Sequence, residues 1–210
     1  TVGGGARTAE LTLPGFKHDV CSAIHPMGMS SPFMQTLDLQ AHGLEWIQPQ
    51  APLAHPLDDG DAAILYQDIT ATAETLGEDG EAWSRWMGPW PERWSGLCED
   101  TMGPLGVPSH PIWMASFGLE AMRPATALAR GRFKGEAARA LFAGLAGHSV
   151  MPLDMRPSAA IGLMLGIAGH AVGWPMPKGG SSAISMALLS VLESLGGEVQ
   201  TQTPVRSLSD

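Results

Sequence analysis

The 210-residue sequence predicts an α+β fold, a β-containing body with a mixed β-sheet that carries a large helical subdomain. Three observations predict it. Short β-like runs bounded by prolines and turn residues fill much of the chain up to about Gln67. A helical pattern, punctuated by prolines, runs from Ile69 to about Val172. One further well-marked helix then ends at paired glycines and gives way to "EVQTQTPVRSLS", which reads as a strand.

Each element has its own local reason. After the opening "TVGGGAR", the stretch "ELTLPGFKHDVCSAI" reads as extended segments around the Pro14-Gly15 turn, and "SSPFMQTLDLQAHG" as a short helix closed by Gly43. "LEWIQPQ", "PLAHPL" and "AAILYQD" are short strands, the last two joined through Asp58-Asp59-Gly60. Pro52 and Pro56 cannot donate to a ladder, so the middle strand belongs at an edge or in a distorted position. Breaks at Gly88-Pro89, Gly103-Pro104, Pro124, Pro152 and Pro157 divide the helical region. Within it, Trp83, Trp86, Trp90 and Trp94 recur at three- and four-residue steps. They read as core of the helical subdomain in preference to an aromatic wall for a long apolar substrate, because Pro89 and Pro91 interrupt the helix. "AAIGLMLGIAGHAVGW", residues 159–174, falls short of the roughly 20 residues that cross a bilayer and reads as a buried helix. "WPMPKGG" is a rigid connector into "SSAISMALLSVLESLGG", where Ile184, Leu188, Val191, Leu192 and Leu195 share one face.

Composition excludes some functions. A formal net charge of −9, from 12 basic and 21 acidic residues with no basic cluster, argues against nucleic acid as a partner. Cys21 and Cys98 are too few for a disulfide framework, and no basic-then-apolar leader opens the sequence, so a cytoplasmic setting is expected. The seven histidines form no H-x-x-x-H and the cysteines no C-x-x-C, so no metal site is expected. His18 beside Asp19 reads as a turn histidine hydrogen-bonded by its neighbour. "GHSVM" nearly matches a nucleophile elbow, but the preceding "EAARALFAGLA" is helical where an elbow needs a strand, so His148 or Ser149 is expected to end that helix. "PKGGSS" lacks phosphate-loop spacing and reads as a connector. Twelve methionines and seven tryptophans suit an apolar ligand, and plain packing accounts for them equally.

On its spacing alone the opening turn reads as a surface turn followed by a solvated arginine, with a diphosphate-holding turn as the alternative. Gly3, Gly4 and Gly5 allow positive φ and close approach of backbone to a ligand, and Arg7 brings five donors suited to an oxyanion. "GGGARTAELTLPGFKHDVCSAIHP", "AHPLDDG", "LFAGLAGHSVMPLD" and "GHAVGWPMPKGGSSAISMALLSVLESLGGEVQTQTPVRSL" resemble, in that order, the FAD-dependent oxidoreductases of the phytoene desaturase-like group, related to the amine oxidases. The resemblance covers nearly the whole chain and implies the substrate-domain part of a Rossmann-type flavoprotein. It implies a remnant of the FAD-binding domain over residues 1–24, a substrate-binding domain over 25–197 with its helical subdomain at about 69–172, and a strand over 198–210 returning to the FAD-binding domain.

By the same resemblance, Gly4, Gly5, Arg7 and Thr8 would lie near the FAD diphosphate and ribityl chain, and Val205 near the adenine, where an ordinary buried strand residue is the competing account. The family's G-x-G-x-x-G unit and its carboxy-terminal flavin segment are not among these residues. The chain is therefore expected to be a fragment, inactive alone and without tightly bound FAD, of a parent that passes hydride from an apolar substrate to flavin. The competing expectation is a non-catalytic binding or oligomerisation domain with no cofactor of its own. Peripheral membrane contact and a homodimer through exposed apolar surface stay open, and no catalytic residue is singled out.

Overall fold

A computed structural model describes residues 2–207. The fold is α+β. In chain order the elements are β1 (Thr8–Glu10), β2 (Lys17–Asp19), α1 (Pro26–Ser30), α2 (Pro32–Gln35), β3 (Trp46–Ile47), β4 (Leu53–Pro56), β5 (Ala62–Leu65), α3 (Ile69–Glu74), α4 (Gly80–Met87), α5 (Trp94–Met102), α6 (Pro111–Ala121), α7 (Ala125–Arg132), α8 (Glu136–Gly147), α9 (Ala159–Ala171), β6 (Met176–Pro177) and α10 (Ser182–Ser194). Single 3₁₀ turns at Gly77–Asp79 and Pro91–Arg93 lead into α4 and α5.

The strands do not join into the mixed sheet expected from the sequence. They form three separate antiparallel pairs, β1–β2, β3–β6 and β4–β5, each strand two to four residues long. Proline explains part of this, since Pro56 in β4 and Pro177 in β6 offer no N–H to a further neighbour. The β4–β5 hairpin is as expected: Leu53 pairs with Leu65 and Pro56 with Ala62 across the Asp58-Asp59-Gly60 turn, where Gly60 takes φ 92°. The strand expected from residue 198 is absent from the described residues, and 208–210 lie outside them. Instead Thr201-Gln202 forms a turn with Gln202 at φ 60°, and Pro204 follows without an N–H to give a ladder. The helix expected over 30–43 shrinks to α2, and the chain reaches Gly43 (φ 89°) through turns.

The chain divides into two compact units. The first takes the chain up to His25, Met34–Ile47 and the chain from Met176 onward. Its apolar centre is small: Leu39, Leu44, Ile184 and Ala187 are buried, with Leu37, Leu188 and Val191 packed around them. Of the α10 face that the sequence marked, Ile184, Leu188 and Val191 pack here, whereas Leu192 and Leu195 are exposed.

The second unit comprises Pro26–Phe33 and Gln48–Pro175. It is built around α8 and α9, whose Leu141, Phe142, Leu145, Leu163 and Ile167 are buried. Gly162 is what lets the two helices close up, because a β-carbon there would stand 3.0 Å from Ala146 Cβ and 3.1 Å from the Phe142 ring. Trp83 is fully buried, with Phe133 5.8 Å away in a stacked arrangement and Trp86 edge-on at 6.2 Å. Trp86, Trp90 and Trp94 are buried as well, so the four tryptophans are core, divided between α4, the turn after it and α5. α9 is buried along most of its length, and among the described residues no helix is long and apolar enough to cross a membrane.

Candidate functional site

The glycine-arginine turn belongs to the first unit, and its geometry follows from its glycines. Gly3 and Gly4 adopt φ 99° and 51°, a region that costs side-chain-bearing residues strain. The turn closes through Ala6 N–H to Gly3 C=O and Arg7 N–H to Gly5 C=O, both 2.9 Å. Gly3 backs onto α10 so tightly that a β-carbon would fall 2.7 Å from Ser185 Oγ. At Gly4 and Gly5 the same atom would meet nothing within 4 Å. Both are exposed, as is Arg7, which has no acidic partner among the described residues.

Immediately after the turn the chain is tied to the N-terminus of α10. Thr8 Oγ1 donates to Asp19 Oδ1 at 2.6 Å and accepts from Ser182 N–H at 3.1 Å. Asp19 Oδ1 also accepts from Ser181 N–H at 2.7 Å. A helix begins with four unsatisfied N–H groups and a partial positive charge, so a carboxylate there both pairs a donor and offsets the dipole. Ser181 is fully buried and donates its hydroxyl to Ser22 C=O. Its oxygen therefore accepts from His25 Nε2–H, 2.8 Å away. Burial pushes the His25 imidazole below its ordinary value, in keeping with a neutral ring. Gly180, at φ 100°, leaves the room that Thr8 occupies, since a β-carbon there would lie 2.3 Å from Thr8 Oγ1.

These bonds decide which candidates can face a phosphate. A hydroxyl has one hydrogen, and Thr8 gives its own to Asp19, so Thr8 holds the hairpin to the helix and has no donor left for an oxyanion. The helix N-terminus behind "PKGGSS" is likewise filled by protein groups, which fits its reading as a connector. What remains open is the outer side of the turn: the bare faces of Gly4 and Gly5 and the Arg7 guanidinium, a donor set that suits a diphosphate approaching from solvent. Beside it, Val2 lines a cleft of about 420 Å³ together with Val199–Pro204. The start of the chain and the segment after α10 thus share one cleft. Val205 lies just past its lining and is 74% exposed, so it is not an ordinary buried residue.

Other candidates resolve into structure. His148 ends α8, its Nδ1 3.3 Å from Gly144 and Leu145 carbonyls, and no strand leads to Ser149. His18 is bonded to Thr12 Oγ1 at 2.8 Å, while the neighbouring Asp19 bonds Thr8 and Ser181. His170, which the sequence reading passed over, is buried; it accepts from Trp83 Nε1 at 2.9 Å and places Nδ1 3.2 Å from Gln67 C=O. Desolvation lowers its pKa, so the ring is a neutral core group in the Nδ1–H tautomer. Among the described residues no three His, Cys, Asp or Glu side chains gather as a metal site would require. Asp19 and Ser181 are the residues the sequence reading missed, and their only signal was being good capping types, one of them directly before a helix.

Compared with known proteins, the chain matches no family model and no curated protein.

Proposed function

We propose that the chain is part of a FAD-dependent oxidoreductase of the phytoene desaturase-like kind, which passes hydride from an apolar substrate to flavin, and that the Gly3–Arg7 turn faces the cofactor diphosphate. The observation that carries the reading is the cleft that Val2 shares with Val199–Pro204, beside a glycine turn with an exposed arginine that has no acidic partner among the described residues. FAD, when bound, takes up the hydride. The residues of this chain bind and orient: Arg7 offsets diphosphate charge, Gly4 and Gly5 admit close approach of the backbone, and the Thr8–Asp19–Ser181 ties hold the turn on α10. The main phosphate site of such an enzyme, a G-x-G-x-x-G helix N-terminus, is not in these 210 residues, so binding here is weak. A cytoplasmic setting accompanies this reading, with Cys21 and Cys98 as free thiols.

Titrating the protein with FAD and following flavin fluorescence tests it. The expected result is saturable binding without colour surviving desalting, weakened roughly tenfold by Arg7→Ala, as loss of one charge-assisted contact predicts. Indifference to millimolar FAD, or equal binding by Arg7→Ala, rejects it.

A second reading, a non-catalytic oligomerisation domain, is favoured by one observation. Ile112, Leu119 and Met122 on and beside α6, with Leu105 and Val107 before it, are all at least 60% exposed. Light scattering across a concentration series decides: dimers dispersed by Leu119→Lys support it, and a monomer throughout rejects it.

A further inference from the structure

The helical unit holds a groove that the cofactor reading does not use. It has a volume of about 410 Å³ and is lined by Arg85, Trp86, Trp90, Arg93, Glu120 and Arg132 among others. That size falls within the roughly 300–1,000 Å³ of small-molecule sites. In a chain of net charge −9 with only 12 basic residues, three arginines meet at one groove. They come from α4, the turn before α5 and the end of α7, so the fold brings together what the sequence scatters.

The charges in the groove do not cancel. Glu120 is fully engaged: Oε2 accepts from Trp86 Nε1 at 2.6 Å, and Oε1 pairs with Arg132. Arg132 also lies over the Trp86 ring, 4.6 Å from its centroid. Arg85 is paired with Glu81 at 3.2 Å, but both side chains are more than 70% exposed, and such a pair is easily exchanged for a stronger partner. Arg93 has no acidic partner among the described residues. Its guanidinium lies 4.9 Å from the Trp113 centroid and 5.8 Å from that of Trp90. A guanidinium held against indoles by its charge keeps five N–H donors, of which two can grip a planar oxyanion.

We infer that this groove binds a small-molecule carboxylate on a planar, apolar body, with Arg93 gripping the carboxylate and the narrow exposed edges of the otherwise buried Trp86 and Trp90 meeting the body. One uncompensated guanidinium matches one negative charge, and the fork matches a carboxylate's two oxygens. The ligand is selected by charge first and by ring contact second. The site owes nothing to the glycine-arginine turn, so either proposal can fail alone.

Benzoate is the probe and benzyl alcohol its uncharged counterpart, with binding followed through the indole N–H resonances in NMR titrations. Benzoate is expected to bind at millimolar concentration and to move the Trp86 and Trp90 signals, while benzyl alcohol does not. Arg93→Gln is expected to weaken benzoate tenfold or more and Arg85→Gln two- to threefold. Arg130→Gln, an equal charge loss on α7 outside the groove, and Arg7→Ala should leave it within twofold. The solvent-facing Arg85 variant keeps the test valid should Arg93→Gln disturb folding. The inference is overturned if benzyl alcohol binds as well as benzoate, if neither groove variant weakens benzoate beyond the Arg130 control, or if inorganic phosphate binds more tightly than benzoate.

Discussion

The two units are held together by different physics. In the second, large side chains exclude water from one another: Trp83, Phe133, Phe142, Leu141, Leu145 and Ile167 are essentially inaccessible, and His170 enters that interior with partners at both ring nitrogens. In the first, four buried apolar residues form a modest centre, and the β1–β2 hairpin is fixed to α10 through hydrogen bonds of Thr8, Asp19, Ser181 and His25. Burial is non-directional and tolerates shape changes, whereas a hydrogen-bonded clamp fixes direction. A turn that must face a ligand in one orientation is better served by the second device, at a cost in stability.

That contrast is broken most forcefully in the helical unit. Trp83→Ala removes the largest fully buried side chain and leaves His170 Nε2 without its donor, for an expected loss of about 3–5 kcal/mol. Six of the seven tryptophans lie in the second unit and only Trp46 in the first, so indole fluorescence in urea reports mainly the helical unit. A loss below about 1 kcal/mol would mean that this unit does not depend on its aromatic centre.

Next in size is Asp19→Ala, which strips the cap from Ser181 N–H and the acceptor from Thr8. It should cost about 2 kcal/mol, felt in the first unit. Amide hydrogen exchange separates the two effects: protection should fall in β1, β2 and the first turn of α10 and persist in α8 and α9. Equal loss in both would erase the distinction between clamp and core.

The clamp is also the part the sequence concealed. The β4–β5 hairpin and α10 were legible because their signals are local: a turn triplet between alternating strands, and a 3.6-residue apolar period ended by glycines. The helical stretch from Ile69 was legible for the same reason. Asp19 meets Ser181 across 162 positions, and nothing around "KHD" marks that meeting. The β3–β6 pair joins Trp46 to Pro177 through two residues a side, too few to carry a pattern. The mixed sheet and the strand after Gly197 were misread because β-like composition gives propensity but not a neighbour to pair with. In the candidate site the turn itself was legible, since glycines and arginine are adjacent, while the engagement of Thr8 was not. The groove arginines, at 85, 93 and 132, share no spacing at all.

Acid sharpens the comparison with a smaller effect. His170 in the helical unit and His25 in the clamp both have pKa values lowered by burial, so each unfolds toward a form that binds protons more readily. Their contribution is complete above the unfolded value of about 6.5 and is lost progressively as pH falls below it. Urea midpoints should therefore drop between pH 7.5 and 5. His170→Gln should lower the midpoint at pH 7.5 yet flatten the acid slope seen by indole fluorescence, and an unchanged slope would assign the acid sensitivity elsewhere.

The smallest expected effect is the most telling for function. Arg7 is exposed, carries no acidic partner among the described residues, and sits on a turn whose outer side is bare at Gly4 and Gly5. Exposed side chains of this kind contribute within about 0.5 kcal/mol of nothing to folding. Arg7→Ala should leave the urea midpoint and the exchange protection of β1, β2 and α10 unchanged, while Gly3→Ala, placed 2.7 Å from Ser185 Oγ at φ 99°, should lower both. If Arg7→Ala instead loosens the hairpin, then the arginine belongs to the clamp, as Thr8 does, and the turn has no side chain left over for a ligand. A clamp built from Asp19 and Thr8 that is indifferent to its neighbouring guanidinium leaves that charge free to meet an anion.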